Sequence, residues 1–404
     1  MKDTVALAGS LDTKGNEYSF VKDLIEKQGF KTLLIDFGVL NEPTIAPDIS
    51  REEIAKLGGS DISEICSGNN KDIAMKVMCE GLPKLIKRLY VEKKIHGMLA
   101  LGGSGGTTIA SAGMRALPVG VPKVMVSTIS SGDIRPYVDT KDINFFPSVV
   151  DIAGINSINS KIFENASSAI CGMLKYKPKR KQTLKPLLCI SMFGNTTPCV
   201  DSIRYKMEEN GYEILVFHAT GMGGRIMEDV ITEKNIVGSI DITTTELADE
   251  VCGGLGSAGP ERCFAASQKG IPVILVPGCV DMANFASLDT VPKKYKNRLL
   301  YQWNPTATLL RTNVQENIRI GQMIAHAANI ATGKVVIILP LKGVSMLDSE
   351  GQAFWDPEAD EACFNAIKKN INQRVKLIEL DNNINDSTFS KKVSEIMINN
   401  LLKN

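Results

Sequence analysis

The chain has 404 residues, 44% hydrophobic and 23% charged, with nine cysteines and a formal net charge of +1. That length supports two or three domains with cores of their own, and so small a net charge gives no global field toward nucleic acid or a membrane surface. No C-x-x-C pair occurs, which excludes a disulfide framework or a structural zinc site of that spacing. It fits a reducing, cytoplasmic setting.

Short apolar runs alternate with helical patterns from end to end. Val5–Ala8 is flanked by Asp3 and Asp12 and lacks the form of a signal peptide. It reads as the first strand, followed by Thr32–Asp36, Met98–Leu101 and Val124–Ser127. Helices are expected over Tyr18–Gln28, Asp72–Glu92, Thr107–Ala116 and Asp151–Leu174. The basic, proline-bearing stretch Lys175–Pro186 lacks periodicity and reads as a linker. It divides a domain over 1–174 from a second over 187–404.

The second domain repeats the pattern. Strands are expected at Leu187–Met192, Glu213–His218, Ser239–Thr243, Val273–Pro277, Val335–Leu339 and Val375–Leu380. Helices are expected around Val200–Asn210, Arg225–Lys234, Arg262–Lys269, Gln315–Ala331, Glu358–Lys369 and Ser387–Leu402. Continuous apolar strands between helices indicate a parallel sheet covered on both faces. The expected fold is α/β, with two doubly wound domains. Both halves open strand, loop, helix, then Gly-aromatic (Gly29-Phe30 and Gly211-Tyr212), and their second strands end at Asp36 and His218. Ligands of such sheets sit beyond the carboxyl ends of the strands.

In the first domain three loops meet that edge. Leu101-Gly102-Gly103-Ser104-Gly105-Gly106-Thr107 joins a strand to a helix. Glycines allow close backbone approach, and a helix N-terminus offers free N–H groups and partial positive charge. The run has neither the P-loop spacing nor the third glycine of the dinucleotide fingerprint, since Thr108 stands there. Asp12, Thr13 and Lys14 supply a carboxylate, a hydroxyl and an ammonium suited to magnesium and phosphate, or a capped turn. Ser127 and Ser131 offer hydroxyls after the fourth strand, and Asp36 has the place of a ribose-binding acid.

In the second domain, His218 ends a strand and Gly221–Arg225 opens a helix. His218, Glu228 and Asp241 are the candidates for acid/base work. Arg225, Thr244, Glu246, Arg262, Asp281 and Asn284 are the candidates for holding a small anion. Caps and internal ion pairs would leave the same residues. His96 and His326 read as surface or packing residues, and three separated histidines make a histidine-rich metal site improbable.

Leu101–Thr107, Pro122-Lys123-Val124 with Ser127-Thr128, and Phe146–Ile152 together resemble the ATP-binding family of the tomato mosaic virus resistance protein. Met192-Phe193-Gly194, Thr196–Val200, Val216–Gly221 and Asp241–Glu246 extend the resemblance through the second half. It implies two Rossmann-like domains with mainly parallel sheets, a homodimer, and ATP with Mg2+ in the first domain. The nucleotide contacts it implies fall on Asp12-Thr13-Lys14, the strand end near Asp36, and Gly103–Thr107. The expected function is ATP binding, with a small anionic metabolite or protein partner engaged between the domains. Phosphoryl or acyl-phosphate chemistry is one form of it, ATP-gated regulation the other, and a nicotinamide oxidoreductase is disfavoured by the missing glycine. Neither membrane nor nucleic acid is expected as a partner.

Overall fold

The computed structural model describes residues 2–67, 71–176 and 185–402. The chain divides into two compact units, Met1–Lys181 and Gln182–Asn404. Residues 177–184, most of the stretch expected as a linker, lie outside the described residues.

In the first unit, β1 (Thr4–Gly9), β2 (Lys31–Asp36), β3 (Gly97–Gly102), β4 (Lys123–Ser127) and β5 (Asn144–Pro147) form a sheet of order β2-β1-β3-β4-β5. Every pairing in it is parallel. Its helices are α1 (Leu11–Lys27), α2 (Arg51–Leu57), α3 (Ile62–Ser67), α4 (Lys71–Val91), α5 (Ser104–Arg115), α6 (Arg135–Val138) and α7 (Asn159–Lys175). The sheet is buried on both faces, and its strands alternate between two cores. Val5, Leu7, Leu99, Leu101, Val124 and Val126 face a core shared with α1 and α7. Ala6, Ala8, Met98, Ala100 and Met125 face one shared with α2, α4 and α5. Each fully buried Leu, Val or Met side chain stabilises by about 1.5–3 kcal/mol, so the unbroken apolar runs are the driving force for this layering.

The second unit repeats the topology with one more strand. Here β6 (Leu187–Met192), β7 (Glu213–His218), β8 (Ile236–Thr243) and β9 (Val273–Gly278) precede a three-stranded antiparallel insertion. The insertion is β10 (Met282–Phe285), β11 (Leu300–Asn304) and β12 (Ala307–Arg311). β13 (Val335–Pro340) and β14 (Lys376–Leu380) then complete a parallel sheet of order β14-β13-β9-β8-β6-β7. Its helices are α8 (Thr197–Glu209), α9 (Met222–Glu233), α10 (Thr245–Cys252), α11 (Phe264–Lys269), α12 (Val314–Asn329), α13 (Pro357–Asn370) and α14 (Ser387–Glu395). A π-helical stretch, Ile396–Leu402, continues α14.

Three sequence expectations shift. The helix expected from Asp151 begins at Asn159, because Gly154 and the side chains of Asn156 and Asn159 organise a turn before it. The helix expected from Thr107 begins at Ser104, so Gly105 and Gly106 lie in its first turn. The antiparallel insertion and α10, and in the first unit β5, α2, α3 and α6, were not anticipated.

Candidate functional site

Strand order reverses between β1 and β3, the place where doubly wound sheets open a crevice. β1 pairs with β2 through Gly9, and β3 with β4 through Gly102. Between themselves β1 and β3 pair only as far as Leu7 and Leu99. Tyr18 of α1 occupies the gap. Its hydroxyl donates toward Ala8 O (2.7 Å), with Leu101 O at 3.0 Å, and accepts from Leu101 N at 2.8 Å. Any Cβ at Gly9 would stand 2.0 Å from the Tyr18 ring, so glycine there is a packing requirement. Burial pushes the Tyr18 phenol far above its ordinary value and keeps it neutral.

Beside this crevice β3 ends at Gly102, and Gly103 is the N-cap residue of α5. Thr107 N donates to Gly103 O at 2.8 Å, the first intrahelical bond. The N–H groups of Ser104, Gly105 and Gly106 make no hydrogen bond among the described residues. No residue of the first turn of α5 is acidic. A Cβ built on Gly103, Gly105 or Gly106 meets nothing nearer than 3.6 Å, and all three have negative φ. Neither packing nor backbone conformation therefore demands glycine at these positions, and the space above them opens outward. Thr107 is buried and ties the turn down, its hydroxyl 2.7 Å from Ser127 Oγ. Ser131 is exposed in the loop after β4.

The other expected nucleotide residues frame the same edge. Asp36 Oδ1 accepts from Leu11 N (3.0 Å) and Gly38 N (2.9 Å), joining the β1 and β2 loops. Asp12 Oδ2 accepts from Leu40 N and Asn41 N. Both carboxylates are buried, and each keeps one oxygen without a partner among the described residues. Burial raises the Asp36 pKa, opposed by the two backbone bonds. Lys14 interrupts α1 with a non-helical φ of −131° and donates through Nζ to Ile152 O at 2.6 Å. Thr13 is exposed, its hydroxyl near Ser10 O. Lys14 and Thr13 thus begin as a loop anchor and a turn, and only Thr13 faces solvent.

The second unit treats its glycine helix differently. Gly221 N (2.7 Å) and Gly224 N (2.9 Å) both donate to Glu246 Oε1, so the start of α9 already holds a carboxylate. Its glycines have internal causes. Gly221 has φ +82°, and a Cβ on Gly223 would lie 1.8 Å from His218 O.

Glu246 belongs to a buried cluster around Arg262. The guanidinium donates to Glu246 Oε2 (2.5 Å), Glu228 Oε1 (2.9 Å) and both oxygens of Asp241. Glu228 also accepts from Cys263 N and Ala265 N at the start of α11. Burial raises the Glu228 pKa against the pull of Arg262. Glu228 and Asp241, expected as catalytic, are instead ion-pair partners in a closed network that locks α9, α10 and α11 to β8. His218 is exposed and stacks on Phe193, ring centroids 5.5 Å apart, away from both carboxylates' partners.

The expected anion-binding residues are likewise internal. Thr244 donates to Val276 O, and Asn284 is bound to the Asp249 carboxylate. Burial pushes Asp249 up to about 7. Asp281 is fully buried, and only Arg225 stays exposed. Cys199 and Cys252 lie in helices rather than loops, and burial raises their thiols and that of Cys279. Among the described residues no group of three His, Cys, Asp or Glu side chains is arranged to hold a metal. None of the described helices is long and apolar enough to cross a membrane.

Fold and site together define the class: a two-unit α/β protein of Rossmann-like topology, with one uncapped glycine-rich helix start at a sheet switch point. The chain belongs to the uncharacterised protein family UPF0261, whose N-terminal domain matches residues 3–179 and C-terminal domain residues 185–401. A UPF0261 protein of Clostridium tetani is 48% identical over the full length of both chains. One from Rhizobium meliloti is 40% identical over 96% of each. The ToMV resistance protein Tm-1(GCR237) of Solanum lycopersicum is 39% identical over 79% of this chain and 43% of its own length. Among solved structures, a UDP-N-acetylglucosamine 2-epimerase from Rickettsia bellii aligns over 68% of this chain and 78% of its own, at 14% identity and a TM-score of 0.24. That level of likeness carries no functional argument.

Proposed function

We propose that this protein binds a nucleoside triphosphate, ATP with Mg2+, at the carboxyl edge of its first sheet. The observation that carries the reading is the start of α5. Among the described residues three N–H groups are unpartnered, no carboxylate caps them, and three glycines clear the space in front. A phosphate placed there gains hydrogen bonds and the helix dipole at once. The free oxygens of Asp12 and Asp36 suit a ribose hydroxyl or the cation that accompanies the phosphates.

Binding, with regulation as its output, is favoured over phosphoryl transfer. Glu228 and Asp241 are engaged by Arg262, which leaves His218 without a carboxylate partner. Thermal unfolding of the full chain tests the site. Mg-ATP at 100 times its Kd should stabilise by about 2.7 kcal/mol, while NAD leaves the melting temperature unchanged. Gly105→Asp places a carboxylate in the first turn of α5, where it competes for the N–H groups as Glu246 occupies those of α9. It should abolish the ATP response with little change in the ligand-free protein. An unchanged ATP response in that variant overturns the site. Phosphate release that depends on His218 would overturn the regulatory reading and leave the site standing.

A further inference from the structure

At the carboxyl edge of the second sheet three buried acceptor oxygens have no donor among the described residues: Asp281 Oδ1, Asn195 Oδ1 and Asn385 Oδ1. Asp281 follows β9, Asn195 follows β6, and Asn385 precedes α14. Their remaining contacts draw them to one seam. Ser345 Oγ donates to Asp281 Oδ2 at 2.8 Å. The next residue, Met346, donates its N–H to Asn195 O at 3.1 Å. Asn385 Nδ2 donates to the same carbonyl at 2.9 Å. Asn195 Nδ2 in turn lies 3.5 Å from Sδ of Met282, the neighbour of Asp281. Asp281 is fully buried and Asn195 is 1% exposed.

Arg311 Nη2 reaches Asp360 Oδ1 (2.8 Å) and Asp348 Oδ1 (3.4 Å), while among the described residues Asp281 has no hydrogen bond from any cation. Burial raises the Asp281 pKa against the pull of Arg311. One water molecule brings two protons and no charge, so it does not serve three acceptors at once. A buried carboxylate beside amide oxygens and a hydroxyl is the donor set of a hard metal ion. We infer that Asp281, Asn195 and Asn385 bind a hard, oxygen-ligated cation, which links the loops after β6 and β9 to the start of α14. The site lies in the second unit and does not rest on the ATP reading.

The test uses the full chain without nucleotide, stripped with a chelator and held at pH 8 in choline chloride. CaCl2, MgCl2 and KCl are titrated at matched ionic strength while melting temperature and bound heat are followed. At least one should raise the melting temperature above the choline control, with one ion per chain. Asp281→Asn should remove that rise, and in choline alone should be no less stable than the parent, since it removes a buried carboxyl group whose ionised form burial disfavours. Asn195→Ala, which keeps the carboxylate, should weaken cation binding at least tenfold. No cation outperforming choline, or an Asp281→Asn response equal to the parent's, overturns the site. Should Asp281→Asn fail to fold, the Asn195→Ala titration decides by the same tenfold criterion.

Discussion

Tyr18 shows how one residue sets up a binding edge. Its ring displaces any side chain at position 9, and its hydroxyl satisfies Ala8 and Leu101 where β1 and β3 stop pairing. The crevice is therefore held open by a buried side chain rather than by the loops above it. Tyr18→Phe keeps the ring but leaves the buried Leu101 N–H without an acceptor. An unmade buried hydrogen bond costs about 1–3 kcal/mol, so the urea midpoint should fall by the corresponding amount, with the denaturant slope unchanged. A midpoint equal to the parent's would show that water replaces the phenol and that the wedge is dispensable. None of this is legible in sequence. Tyr18 reads only as the start of an amphipathic helix, and its partners lie 10 and 83 residues away.

The comparison between α5 and α9 separates two glycine-rich helix starts that look alike in sequence. Both follow a strand of a parallel sheet, yet Glu246 caps one and no carboxylate among the described residues caps the other. Sequence reasoning located both motifs and the strands that present them, because continuous apolar runs and glycine punctuation are local signals. It could not see that Glu246, some twenty residues on, closes the α9 site, nor that Glu228, Asp241 and Glu246 converge on one arginine. Thr245–Cys252 also reads poorly as a helix because Thr243, Thr244 and Thr245 extend the strand-like signal into it. The cluster predicts a large stability effect. Arg262→Met removes the guanidinium hydrogen-bonded to those three carboxylates, and breaking a buried pair on one side costs about 3–5 kcal/mol. Urea unfolding of the variant should show that loss, whereas a loss below about 1 kcal/mol would mean the carboxylates are already neutral.

At the scale of the whole chain, the two units share one topology and differ in what stands at the carboxyl edge. The fold class was legible because parallel sheets buried on both faces leave long apolar strands, here Leu188–Ile190 and Val335–Leu339 as clearly as Val5–Ala8. The antiparallel insertion was not, since β10, β11 and β12 are short and mix polar with apolar residues. The repeat itself argues for a division of labour. In the first unit no carboxylate among the described residues caps the switch-point helix start, while in the second Glu246 caps the glycine-rich start of α9. Ligand-induced protection should follow that asymmetry. Hydrogen exchange of the full chain with Mg-ATP should slow at 10–18, 36–41 and 101–108. Residues 218–228, whose N–H groups at 221 and 224 already have acceptors in Glu246, should be unchanged. Protection concentrated at 218–228 instead would mean that the second unit, and not α5, receives the nucleotide. The self-capped helix would then have to release Glu246 to do so, which would couple nucleotide binding to the Arg262 cluster.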